Sequence, residues 1–198
     1  MSLSAIDYPG PMPRWEPDAR GRLQQAALGL YGERGFDNTT VAEIAEHAGL
    51  TKRTFFRYFA DKREVLFWGS EALEELFVTE VGAAPESAAP LDAVTAALDA
   101  AAAVFEPRRE GAAQRQQIIA ANPELQEREL IKFQSMAAAV AQALRRRGVA
   151  DPAAILAAEA SITVFRVAFE RWTNQGNQQS LQQLIRETLN ELRAVTTA

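Results

Sequence analysis

Between Gly49 and Leu66 the chain reads GLTKRTFFRYFADKREVL, which crowds cationic and aromatic side chains together. Lys52, Arg53, Arg57, Lys62 and Arg63 stand among Phe55, Phe56, Tyr58 and Phe59, and Asp61 is the only acid from Thr51 to Arg63. Ammonium and guanidinium groups bind phosphate oxygens, and a guanidinium can grip guanine O6 and N7 with two hydrogen bonds. On a helix advancing about 100° per residue, Phe55, Tyr58 and Phe59 share one face and Arg53 and Arg57 take the opposite one. Lys52 and Phe56 fall on one flank and Thr54 on the other. So short a helix is marginal alone, and large apolar anchors are needed to hold it. A rigid mount behind and cations in front is what insertion into a DNA groove demands.

The preceding residues supply the element that positions this helix. Thr40 and Glu43 fit a capping box that opens a helix over 41–47, with Ile44, Ala45 and Ala48 turned inward. Gly49 ends it, and Thr51 can cap the next helix, 52–59. That is the spacing of a helix-turn-helix, in which the first helix crosses the DNA backbone and the second enters the major groove. Candidate DNA contacts are Thr40 and Ala42 from the first helix, and Thr51, Lys52, Arg53, Thr54, Phe56, Arg57 and Tyr58 from the second. Lys62 would lie against the phosphate backbone at the start of the next helix. Arg53 and Arg57 can serve guanine or phosphate equally well. A solvated cationic surface on an ordinary helical bundle is the bland alternative, which the turn spacing, the caps and the opposed faces together outweigh.

Helical periodicity continues on both sides. Leu23, Ala27, Leu30 and Tyr31 make a stripe that stops at Gly35 in ERGFDN. Asp61 with Glu64 predicts the cap of a longer helix running through Val65, Leu66, Leu73, Leu76 and Phe77. GAAPESAAP, residues 82–90, is an internal break of small residues and proline. Five helices are expected beyond it. One opens at Asn122-Pro123, with Asn as N-cap, and carries Leu130, Phe133, Ala137, Val140 and Leu144. It ends at RRRG, with the arginines expected on its last carbonyls. Another opens in the same way at Asp151-Pro152 and carries Ile155, Ile162, Phe165, Phe169 and Trp172. The last opens at Ser180 with Gln183 and runs to Val195. The fold class is therefore all-α, with about nine helices. A Pro-rich, disordered arm (1–16) is expected to precede a DNA-binding domain (17–77) and a C-terminal helical domain (78–198).

Composition narrows the function classes. There is no cysteine, so disulfides, thiolate metal sites and a cysteine nucleophile are unavailable. The start MSLSAIDYPGPMPRW lacks the basic and apolar regions of a secretory signal, and charges interrupt the Ala-rich runs short of a membrane span. A cytoplasmic protein with no membrane partner is expected. Net charge is −5, but Arg14 to Trp68 carries +1 while Gly69 to Ala198 carries −5, which suggests two different partners. No phosphate-binding glycine loop, Ser-His-Asp set or acid pair is present. The one histidine, His47, follows Glu43 by four residues; that spacing can hold a metal, but an exposed histidine is the simpler reading. No catalytic residue, metal or cofactor is assigned, and the chain is not expected to be an enzyme.

GRLQQAALGLYGERGFDNTTVAEIAEHAGLTKRTFFRYFADKREVL resembles the DNA-binding domain of the TetR family of transcriptional regulators. Its landmarks are Gly35-Phe36, Thr39-Thr40-Val41, Ile44-Ala45, Ala48-Gly49, Thr54-Phe55, Phe59 and Lys62. Many members carry a tyrosine where Phe56 stands, with its hydroxyl on a phosphate; Phe56 cannot make that bond, and Tyr58 or Arg57 can take it over. The resemblance implies a homodimeric regulator, typically a repressor, on a pseudo-palindromic double-stranded operator, released by a small effector bound in the C-terminal domain. It also implies dimerisation through the last two helices, whose stripes on 152–175 and 180–195 would serve an internal core as well.

The C-terminal half is similar to one branch of the family, which shares FFRYF and a helix like NPELQERELIKF and is associated with acyl-coenzyme A-like ligands and mycofactocin gene clusters. That similarity implies an apolar tunnel between helices, for which Phe105, Ile118, Ile119, Phe133, Met136, Phe165, Phe169 and Trp172 are the candidate lining. Plain core packing is the competing role for each of them. Arg108, Arg109 and Arg115 can meet coenzyme A phosphates or remain surface charges. A drug or another hydrophobic effector is the alternative ligand, and a helical protein–protein adaptor the alternative function.

Overall fold

The computed structural model describes residues 18–174 and 176–197, so the arm expected over 1–16 lies outside it. Nine α-helices follow one another among the described residues: α1 (Ala19–Arg34), α2 (Val41–His47), α3 (Lys52–Tyr58), α4 (Ser70–Ala83), α5 (Pro90–Phe105), α6 (Arg109–Ala120), α7 (Pro123–Arg146), α8 (Asp151–Thr173) and α9 (Leu181–Thr197). A 3₁₀ turn, Glu106–Arg108, joins α5 to α6. The buried side chains form two clusters. One gathers Leu23, Leu30, Phe36, Ile44, Phe55, Phe59 and Leu66 around α1, α2 and α3; the other lies among α4, α5, α7, α8 and α9. Ile118, Ile119 and Leu125, from the α6–α7 corner, belong to the first cluster, so the C-terminal chain completes the core of the N-terminal head.

The continuous helix expected from Asp61 to Phe77 is broken. Residues 62–69 are turns, and α4 begins at Ser70 after Gly69, whose φ of 97° puts it in the left-handed region that glycine alone enters cheaply. Val65, Leu66 and Phe67 are all buried in succession, which no single face of an α-helix can achieve. Asp61 still caps locally, its Oδ1 accepting from the N–H groups of Arg63 and Glu64 at 2.8 and 3.2 Å.

Other ends differ in detail. Asn122 occupies the N-cap of α7, but its Nδ2 turns back to donate to the Ile118 carbonyl at 2.6 Å, closing the end of α6 instead. Asp151 is the first residue of α8 rather than its cap, and its carboxylate pairs with Arg145. Arg147 does not hold its own helix's carbonyls; it donates to those of Ala84 and Pro85, both at 2.6 Å, tying α7 to the linker after α4. Of the predicted inward stripes, Leu130 on α7 and Ile155 on α8 are exposed. At α9 the expected cap is present, with Ser180 Oγ accepting from Gln183 N at 3.1 Å. α8 is long and apolar enough by composition to cross a membrane, but half of its most apolar window is buried inside the bundle, which accounts for the hydropathy as that of a core helix.

Candidate nucleic-acid interface

α2 and α3 are built as their sequences dictate. Thr40 and Glu43 form the complete capping box: the Thr40 N–H and hydroxyl donate to Glu43 Oε2 at 2.8 and 2.7 Å, and Glu43 N donates to Thr40 Oγ1 at 3.3 Å. The hydrogen bonds from the Thr40 backbone and hydroxyl, with Arg34 nearby, hold the Glu43 carboxyl below its ordinary pKa. Gly49, with φ of 67°, turns the chain, and Thr51 Oγ1 accepts from Thr54 N at 3.1 Å to open α3. Thr51 and Thr54 also share a hydroxyl–hydroxyl bond of 2.9 Å.

Behind α3, Phe55 and Phe59 are buried, their ring centroids 5.5 Å apart, while Tyr58 is half-buried at the edge of the mount. In front, Lys52, Arg53 and Arg57 are exposed, as is Ala42 on α2. Phe56 is 49% exposed, with the Lys52 ammonium 5.9 Å from its ring centroid. The opposed faces expected of 52–59 are thus realised, and no acid breaks the cationic surface of α3.

Lys62 is placed differently from the rest. Its Nζ donates to the carbonyls of Phe36, Asp37 and Thr39 at 2.8, 3.4 and 3.1 Å and sits 4.3 Å from the Phe36 ring centroid. An ammonium has three donors, so all are occupied in pinning the α1–α2 loop. The Tyr31 hydroxyl donates to the Lys62 carbonyl at 2.7 Å, and burial, reinforced by the charge of Asp61, raises the Tyr31 pKa well above its ordinary value. Lys62 therefore holds the head together where the sequence suggested a phosphate contact.

Two residues at this face escaped the sequence reading. The Arg20 guanidinium lies 5.3 Å from the Tyr58 ring centroid and 5.7 Å from that of Trp68, which is 42% exposed. Their separation in the chain left no periodic signal.

In the C-terminal domain, Phe105, Phe133, Met136, Phe165, Phe169 and Trp172 belong to the core of the helical bundle, the competing role for each of them. Phe165 is the hub, with the rings of Phe77, Phe105, Phe133 and Phe169 at 5.4–6.5 Å. Trp172 is fully buried, and its Nε1 has no hydrogen-bond partner among the described residues. Ile118 and Ile119 are not part of this group; they pack into the head. Arg109 is committed to the α8–α9 loop, donating to the carbonyls of Trp172 at 2.8 Å, of Gln179 and of Asn177. Arg115 of α6 ties the turns after α3 to α7: Nε donates to the Leu66 carbonyl at 2.7 Å, Nη1 pairs with Glu129 at 2.9 Å, and the guanidinium lies 5.1 Å from the Phe67 ring centroid. Burial pulls its pKa down, opposed by the charge of Glu129. Beside it Glu64 pairs with Arg128 and Lys132 of α7. Arg108 is exposed. His47 is exposed, Glu43 is taken up by its cap, and no group of side chains suited to a metal occurs among the described residues.

Comparison with known proteins matches residues 23–67 to the model of bacterial regulatory proteins, tetR family, and residues 88–197, more than half of the chain, to the MftR C-terminal domain. The HTH-type transcriptional regulator TcmR of Streptomyces glaucescens is 36% identical over 97 residues, 49% of this chain and 43% of that protein. The chain thus spans less than half the length of this curated relative. Among solved structures, Thermus thermophilus FadR, a transcriptional repressor in complex with lauroyl-CoA, is 23% identical with a TM-score of 0.53, over 88% of this chain and 93% of that one. SmeT, the repressor of the Stenotrophomonas maltophilia multidrug efflux pump SmeDEF, is 20% identical with a TM-score of 0.56, over 89% of each chain. At these identities the structural likeness is one of fold.

Proposed function

We infer that this chain, which belongs to the TetR family of bacterial regulatory proteins, is a homodimeric repressor whose operator is released by a hydrophobic effector. The carrying observation is α3 itself, with Phe55 and Phe59 buried behind it and Lys52, Arg53 and Arg57 exposed in front. Thr40 and Ala42 of α2, and Thr51, Thr54, Phe56 and Tyr58 of α3, complete the surface that faces DNA. Residues 17–77 act as the reading domain and 78–198 as the effector and dimer domain. Exposed apolar side chains on the last two helices, Leu156 and Val195 among them, support pairing with a second copy there.

The effector reading rests on the aromatic group around Phe165. Among the described residues Trp172 Nε1 is a buried donor without an acceptor, a costly arrangement that an effector carrying an oxygen atom would relieve. A long-chain acyl-CoA has both the chain and the thioester oxygen, and lauroyl-CoA is the ligand held by the FadR relative in fold. Arg108 is the arginine left to meet its phosphates. The bridge from Arg115 to Leu66 and Glu129, with Glu64 between Arg128 and Lys132, supports a route by which that domain tilts the head.

The test is fluorescence anisotropy with the gene's own upstream intergenic DNA at two salt concentrations, with and without a long-chain acyl-CoA. Specific binding that the ligand relieves is expected. Arg53→Ala should cost about 1–3 kcal/mol and relax specificity at one base pair. Linkage requires the antagonism to be reciprocal, so an operator affinity indifferent to saturating acyl-CoA removes that effector while leaving the regulator.

A further inference from the structure

We propose that Arg20, held over the rings of Tyr58 and Trp68, is a second anchorage that takes a backbone phosphate of its own beside the bases α3 reads. The inference rests on the DNA-binding reading and extends its footprint to the start of α1. Arg57 lies 4.8 Å and Arg20 5.3 Å from the Tyr58 ring centroid. Arg57 Nη2 also donates to the Tyr58 hydroxyl at 2.9 Å. Trp68 flanks Arg20 at 5.7 Å. Each cation–ring contact is favourable, but like charges drawn to a shared ring repel. Neither arginine makes an ion pair among the described residues. The nearest acid in sequence, Asp18, has its Oδ1 occupied by the Gly21 N–H at 2.8 Å, where it caps α1.

An exposed guanidinium held in place without a counter-charge suits an anion, and its position decides which anion. Tyr58 is the last residue of α3, so the ladder runs on from the exposed Arg53 and Arg57 without a gap. Trp68 is the exposed member of an otherwise buried run, Val65–Phe67, and its ring lies against Arg20 rather than in the core. A ring in that place restricts the guanidinium without neutralising it, so fewer rotamers are lost when a phosphate arrives.

The test compares wild type, Arg20→Ala, Trp68→Ala, Trp68→Phe and Arg53→Ala on operator and random duplexes across a salt series. Arg20→Ala should weaken both duplexes by the same factor, about fivefold, and lower the slope of log K against log salt by about 0.9, the release of one phosphate's counterions. Trp68→Ala should reproduce part of that loss and Trp68→Phe should restore it. A merely structural role leaves the slope unmoved. If Arg20→Ala keeps the wild-type slope while Arg53→Ala still loses operator preference, the second anchorage is wrong and the reading of α3 stands. If the wild type binds neither duplex, the DNA reading falls and this inference with it.

Discussion

The two cores of this molecule are packed from different materials. Around α3 the buried set is rich in rings and branched chains, with Tyr31, Phe36, Phe55, Phe59 and Phe67 at its centre and alanine in a minor part. Among α4, α5, α7, α8 and α9, alanines at 93, 97, 101, 102, 137, 141, 143, 154, 157, 158 and 168 let helices approach closely, and most of the aromatic rings gather around Phe165. A seven-residue recognition helix buries too little to hold itself, so the head must fix it with rings and clamps. Long helices such as α7 and α8 bury many small residues beside their large ones and hold themselves in the bundle by length.

Predictions that probe this contrast differ in size. Phe55→Ala, which empties the mount of α3, should cost about 3–5 kcal/mol of stability and abolish DNA binding; urea denaturation followed by circular dichroism, with anisotropy on the folded fraction, measures both. A loss under 1 kcal/mol would mean that α3 is held from elsewhere. Lys62→Met should cost about 1.5–3 kcal/mol, because three carbonyls lose a charged donor, and should leave the salt slope of DNA binding unchanged. A slope lower by about 0.9 would return Lys62 to the phosphate contacts.

The bundle should fail in the opposite sense. Ala97→Leu, an enlargement at a fully buried position, should cost about 1–3 kcal/mol by overpacking, measured as a lowered urea midpoint, while DNA binding by the folded fraction persists. The smallest effect concerns pH. The folded Glu43 carboxyl lies below its ordinary pKa because of Thr40, and Asp61 does so chiefly through the Arg63 side chain. Depressed carboxylates stabilise fully above the ordinary range and lose that contribution as pH falls through their lowered values. Thermal stability should therefore begin to fall below about pH 4, and Thr40→Ala should flatten that fall; an identical acid limb would remove the cap as its source.

How much of this was readable beforehand varies with distance along the chain. The capping boxes, the Gly49 turn and the two faces of α3 depend on residues within four positions of each other, and the sequence reading placed all of them. The misplacements arose where a local motif had a distant competitor. Asp61 and Glu64 resemble a helix start, but burying Val65, Leu66 and Phe67 together required a turn and Gly69. Lys62 looked like a phosphate ligand until the chain folded the carbonyls of Phe36, Asp37 and Thr39 around it. Asn122 is the N-cap of α7, but its side chain closes the end of α6, while Asp151 and Arg147 serve neighbouring segments.

By itself, then, the sequence determined most of the helices, the helix-turn-helix and the family, since periodicity, capping and short motifs are written in contiguous residues. Tertiary structure alone decided which cations remain outward on the head and which are consumed inside it. It also decided that Ile118 and Ile119 complete the head's core, and that Arg20 meets Tyr58 and Trp68. These are encounters between side chains tens of residues apart, and no local period encodes which of several equally charged or equally apolar groups will be the one to meet.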